Sequence, residues 1–131
     1  MHIIEQVNGM FIMKKTTKNG WEIFPLPDQH ASLIVSRKFD QCQMERIQMG
    51  VVPSDMDERW LIYYEEDALY LHRSWTGYCI FVVRFIVLED GSARMYECLA
   101  SRDDLQYGGT DDAEDLKLIN RIIDELLLGV M

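Results

Sequence analysis

The densest run of chemically capable residues in the chain is His72, Arg73, Ser74, Trp75 and Thr76. A histidine titrates near neutrality, an arginine makes paired planar contacts to carboxylate or phosphate, and an indole offers a flat face for stacking. Together such groups suit a small anionic or nucleotide-like molecule. Side chains alternate across a strand, so His72 and Ser74 share one face while Arg73 takes the other. His72 and Ser74 then stand about 7 Å apart along one strand, which excludes a serine–histidine dyad. A structural reading competes: Trp75 anchors a turn against the core, Ser74 and Thr76 bond turn backbone, and Arg73 lies over an aromatic ring such as Trp60.

Arg84 interrupts the apolar run CIFVVRFIVL, where a guanidinium is costly to bury without a partner. Its cross-strand neighbour is Glu97, so a structural Arg84–Glu97 ion pair is expected. The functional alternative has Arg84 receiving an anion beside Tyr63, Tyr70 and His72. The candidate ligand-binding set is therefore Tyr63, Tyr70, His72, Trp75, Thr76 and Arg84. No residue is assigned a catalytic role, and whether the protein is an enzyme stays open. No His-Glu-x-x-His, Cys-x-x-Cys, phosphate-binding glycine loop or dinucleotide fingerprint occurs, so neither a metal nor a cofactor is expected.

These residues need a sheet to hold them. Strands are predicted over 59–65, 68–74, 78–88 and 92–101, each rich in Val, Ile, Tyr, Phe or Leu and bounded by turn residues. Asp90-Gly91 suits a two-residue hairpin, in which both positions need positive φ. Trp75-Thr76-Gly77 suits a three-residue loop with Gly77 left-handed, and 65–68 a tight turn of the commoner type. The resulting registers set Tyr63 opposite Tyr70, Leu61 opposite His72, Tyr70 opposite Val82, His72 opposite Ile80, Arg84 opposite Glu97 and Ile86 opposite Met95. One face then gathers Trp60, Ile62, Tyr64, Leu69, Leu71, Phe81, Val83, Phe85, Val87, Cys79 and Cys98, with Arg73 near its end. The other gathers Tyr63, Tyr70, His72, Ser74, Tyr78, Arg84 and Glu97 among Leu61, Ile80, Val82, Met95 and Leu99.

Residues 111–128 place Leu116, Ile119, Ile123 and Leu126 at helical spacing, with Asp111 and Glu114 as a capping box and Gly129 as the stop. This amphipathic helix belongs on the apolar face. Further back, GMFIMKK and GWEIFPL are expected to form a hairpin through Lys18-Asn19-Gly20, and residues 30–49 show a broken helical pattern in Leu33, Ile34, Phe39, Met44 and Ile47, so this part is read as strand followed by helix. The expected fold is α+β: an antiparallel β-meander of at least four strands with the C-terminal amphipathic helix packed on one face, in a single domain over 1–131.

At 131 residues with a formal net charge of -9, the chain opposes non-specific binding to nucleic acid, which draws its affinity from lysine and arginine. No membrane-spanning run or signal peptide is legible, and a cytoplasmic location is expected. The three cysteines, Cys42, Cys79 and Cys98, match neither zinc nor redox spacing and are expected reduced and buried. Partners are then a small anionic or nucleotide-like ligand or a protein, with no nucleic acid and no membrane.

The segments MDERWLIYYEEDALYLHRSWTGYCIFVVRF and SRDDLQYGGTDDAEDLKLINRIIDELLLG resemble a family of small, uncharacterised bacterial proteins. They share an Arg-Trp strand, a Tyr-x-His-Arg-Ser-Trp-Thr-Gly-x-Cys turn and a Leu-rich final helix. The resemblance covers about half of the chain and implies a neighbourhood of ADP-ribose or nucleotide-processing domains; it carries over no residue roles. The expected function is a small accessory or ligand-binding domain. The alternative is an acidic protein–protein interaction module of inhibitor, antitoxin or immunity type.

Overall fold

The computed structural model describes residues 21–55 and 57–130. Their elements are β1 (His30–Phe39), α1 (Gln41–Met49), β2 (Trp60–Glu65), β3 (Ala68–Arg73), β4 (Cys79–Val87), β5 (Ala93–Ser101) and α2 (Asp112–Ile122), which runs on into a π-helical turn, Ile123–Leu127. The strands make one open antiparallel sheet in the order β1-β5-β4-β3-β2. The fold is α+β: β2 to β5 form the expected meander, and β1 closes the free edge of β5. β1 and β2 thus lie at opposite edges, and α1 with the loop after it carries the chain across the sheet. No described helix is long and apolar enough to cross a membrane.

The N-terminal expectation needs correction. Residues 30–39 form a strand, not the start of a helical pattern. Leu33 is buried while its neighbour Ile34 is 81% exposed on the opposite face, so the adjacent pair that looked helical is split by the pleat. A bulge between Ile34 and Arg37 further blurs the alternation. The helix begins only at Gln41, where Asp40 caps it: its carboxylate accepts from Gln43 N, and Gln43 returns a bond to Asp40 N. Of the expected hairpin over the two segments before residue 27, residues 21–26 form no strand, and the remainder lies outside the described residues.

All three turns of the meander depart from expectation in type. Glu66 and Asp67 both take positive φ, 53° and 61°, which is the mirror-image hairpin turn and not the commoner one. At the other end, Leu88 N donates to Ser92 O and Gly91 N to Leu88 O, with Gly91 at φ 88° and no positive φ at Asp90. The connection is a three-residue loop, and the Asp90 carboxylate ties it by accepting from Ser92 N and Oγ. The middle hairpin holds four residues, 74–77, since Arg73 N donates to Tyr78 O and Gly77 N to Arg73 O; Gly77 is left-handed as expected, φ 79°.

Bulges absorb these differences. Tyr63 faces Tyr70, Leu61 faces His72, Tyr70 faces Val82 and Arg84 faces Glu97, but His72 faces Cys79 and Ile86 faces Arg94. Ile80 and Tyr96 are the extra residues in β4 and β5. Ile80 and Met95 therefore join the main core instead of the opposite face, and Cys79 moves to the opposite face, away from Cys98. Cys79 and Cys98 are buried and unpaired, their thiols pushed up to about 12 by desolvation; Cys42, against expectation, is exposed.

The main core lies between one sheet face and both helices. Trp60, Ile62, Leu69, Leu71, Phe81, Val83, Phe85 and Cys98 meet Met44 and Ile47 of α1 and Ile119, Ile122 and Ile123 at the C-terminal end. Asp111 caps α2 by accepting from Ala113 N and Glu114 N, but Glu114 turns to Lys117 instead of closing the box. The π-helical turn adds a residue to the last turn, which rotates the apolar stripe: Leu127 and Leu128 are buried while Leu126 is 48% exposed. Gly129 ends the element at φ 71°.

Candidate functional site

Of the six residues singled out, four belong to the sheet face away from the helices. Tyr63 lies between Tyr70 and His72 in a stacked row, with ring centroids 5.0 Å and 5.5 Å apart. Tyr63 is 6% and His72 2% exposed, and Leu26 packs with Tyr70 over Ala68, Cys79, Val82 and Leu99. Desolvation raises the pKa of Tyr63 and Tyr70 and lowers that of His72. His72 Nδ1 is 2.9 Å from Gly77 O, and its Nε2 is buried without a hydrogen-bond partner. The row is packed interior.

Arg84 is not buried. Its side chain is 48% exposed, with Nη1 3.4 Å from Glu97 Oε1, and Glu97 also accepts from Ser32 Oγ. Such an exposed pair contributes little to stability.

Trp75 and Thr76 stand apart from that row, on the 74–77 hairpin. Trp75 is 71% exposed, so it does not anchor the turn against the core. Ser74 Oγ donates to Glu58 O, Ser74 N donates to Arg59 O, and Thr76 Oγ1 accepts from Tyr78 N, which leaves the Thr76 hydroxyl proton to spare. Facing this hairpin is the turn at 103–107, in which Gln106 N and Tyr107 N donate to Asp103 O. Between them runs a groove of about 570 Å³ lined by Asp57, Arg59, Arg73, Ser74, Trp75, Thr76, Tyr78, Leu105 and Gln106.

Arg73 is the fixed cation of this groove. Its guanidinium carbon sits 4.6 Å from the Trp60 ring centroid, and Trp60 stacks on Phe81 in the core at 6.0 Å. A guanidinium held by its face keeps its in-plane N–H donors for an oxyanion. Burial lowers the Arg73 pKa, the positive charge of Arg59 adds to the effect and Tyr107 opposes it. Arg37, Arg84 and Arg102 each lie within ion-pair distance of a carboxylate; among the described residues Arg59 and Arg73 do not.

The turn opposite is pinned from behind. Asp115, 2% exposed, accepts from Tyr107 Oη at 2.6 Å and pairs with Arg102 Nη2 at 2.6 Å, while Arg102 also reaches Asp112 at 2.8 Å. Desolvation and the Asp115 carboxylate push Tyr107 up to about 12. The Tyr107 ring meets Phe81 edge-on, with centroids 5.6 Å apart.

The structure thus joins Trp75 and Thr76 to Arg73 of the same sequence cluster, and adds Arg59, Tyr78, Leu105 and Gln106, which sequence reasoning did not assign to a site. Register contained part of the signal: Trp60 pairs with Arg73, so Arg59 necessarily adjoins the start of the hairpin loop. Nothing periodic marks the turn at 103–107. The groove has aromatic faces, two guanidiniums and a hydroxyl donor, which is equipment for holding an anion, while the Asp57 carboxylate opposes one. No group of three or more metal-ligating side chains occurs among the described residues. No protein-family model matches the chain, and neither a curated protein nor a solved structure does.

Proposed function

We propose that the protein is a small accessory domain that binds an anionic, ring-bearing small molecule in the groove between the 74–77 hairpin and the 103–107 turn. The carrying observation is Arg73: a guanidinium positioned by Trp60, with no carboxylate of the described residues within ion-pair distance, in a chain of net charge -9. Its edge suits phosphate or carboxylate, and Trp75 and Tyr78 suit the ring. The resemblance in the sequence rests on this same hairpin, and free thiols at Cys42, Cys79 and Cys98 fit a reducing, cytoplasmic compartment.

The test is calorimetric titration with inorganic phosphate, adenosine and adenosine monophosphate. The monophosphate is expected to bind, Arg73→Gln to weaken it by about tenfold or more, and Trp75→Ala to weaken the monophosphate but not phosphate. Far from the groove, Arg84→Ala is expected to change nothing. Absence of saturable binding, or binding indifferent to Arg73→Gln in a folded variant, rejects the proposal.

One observation favours the interaction module as a second reading. Glu66 and Asp67 are exposed at a hairpin tip whose left-handed backbone both side chains disfavour. A basic protein partner is the chemistry that uses carboxylates held there. Association that weakens with salt and with Glu66→Gln and Asp67→Asn together supports this reading.

A further inference from the structure

A second groove, of about 290 Å³, adjoins the first: Arg59 and Arg73 line both. Its other walls include Trp60, Leu118, Arg121 and Glu125. Arg121 comes from the last turn of α2, and among the described residues it has no carboxylate within ion-pair distance. The neighbouring acids of that helix are otherwise engaged, Glu114 by Lys117 and Asp124 by Arg37. Glu125 shares the groove with Arg121 but does not neutralise it at contact distance. Three guanidiniums therefore border the two joined concavities against two carboxylates, Asp57 and Glu125, an excess of positive charge in an otherwise acidic protein that favours an added anion.

A single oxyanion on the edge of Arg73 answers one of these charges and leaves Arg121 unanswered. We infer that the ligand carries two linked oxyanionic groups, of the diphosphate class, one held by Arg59 and Arg73 and the second extending to Arg121 in the adjoining groove, with its ring on the Trp75 side. This rests on the binding proposal above and adds to it the charge and reach of the ligand. A long polyanion is disfavoured because the net charge of -9 opposes every phosphate lying beyond the arginines. Glu125 then acts against the second anion and limits its affinity.

The experiment compares inorganic phosphate with pyrophosphate, and adenosine monophosphate with adenosine diphosphate, by calorimetry on the full chain. The wild type is expected to prefer each two-anion probe by about tenfold or more. Arg121→Gln, at an exposed helical position, is expected to remove that preference while changing monophosphate affinity by less than about threefold. Glu125→Gln is expected to tighten the diphosphates alone. An Arg121→Gln variant that keeps the preference, or that weakens mono- and diphosphates equally, overturns the inference. If monophosphates bind through Arg73 without any diphosphate preference, only the two-anion inference falls. If no probe binds, the binding proposal falls with it.

Discussion

The Gly77 carbonyl accepts two hydrogen bonds, from Phe24 N at 3.0 Å and from His72 Nδ1 at 2.9 Å. A carbonyl can only accept, so the His72 proton is on Nδ1, and the buried Nε2 is a bare acceptor. Protonating it would create a buried cation whose new N–H has no acceptor. Burial accordingly lowers the His72 pKa below its ordinary 6.5. The unfolded chain then binds the proton more readily, so this contribution to stability is complete above about pH 6.5 and is lost as pH falls through the interval below it. His72→Asn keeps a donor for Gly77 O and removes the titration. Urea denaturation at pH 7 and pH 5 is expected to show a larger loss for the wild type than for the variant; equal losses would mean that His72 is solvated or protonated in the folded state. The histidine that looked most like a site residue is thus a structural post for the hairpin that carries Trp75.

Among the elements, the hairpin between β2 and β3 carries avoidable strain. Left-handed φ costs a residue with a Cβ about 1–2 kcal/mol, and Asp67 occupies a position at which glycine is preferred. Glu66→Asn with Asp67→Gly is expected to raise the melting temperature by a few degrees, with adenosine monophosphate affinity in the distant groove unchanged. An unchanged or lower melting temperature would show that the native carboxylates repay the strain, through Tyr64 Oη on Asp67 at 3.3 Å or another contact. This turn also shows what the sequence made legible. The strands β2 to β5 are readable as apolar, β-branched and aromatic runs between turn residues, and counting residues from the turns assigns Trp60, Leu71, Phe81 and Phe85 to the core. Turn type was not readable from dipeptides: Asp90-Gly91 serves a three-residue loop, while Glu66-Asp67 supplies the mirror-image turn. The bulges at Ile80 and Tyr96 correct the register inside the strands, where no residue type announces them. β1 was obscured because its outer face leaves Ile34 in solvent. The groove was least legible, since Arg59, Trp75 and Gln106 meet only through pairing of distant segments.

On the scale of the whole molecule, the groove is a joint between the sheet and the segment that leads to α2, and the Arg102, Asp115 and Tyr107 contacts hold that joint. Tyr107→Phe deletes one hydrogen bond to a buried carboxylate while keeping the ring against Phe81. The variant is expected to lose about 1.5–3 kcal/mol in urea denaturation, with faster amide exchange at 103–107 than elsewhere. A uniform rise in exchange would instead mean that the contact stabilises the molecule globally and does not specifically position the groove. A different consequence follows from the strand order. β1 pairs with β5 from Phe39 opposite Ala93 to His30 opposite Ser101, so the earliest strand among the described residues waits for the last. Closing so long a loop is slow, and Leu33 and Phe39 remain without their sheet partners until β5 has emerged. Once β5 has emerged, and until β1 docks on it, β5 presents an open ladder of backbone donors and acceptors, and the β1 of a second nascent chain fits it as well as its own.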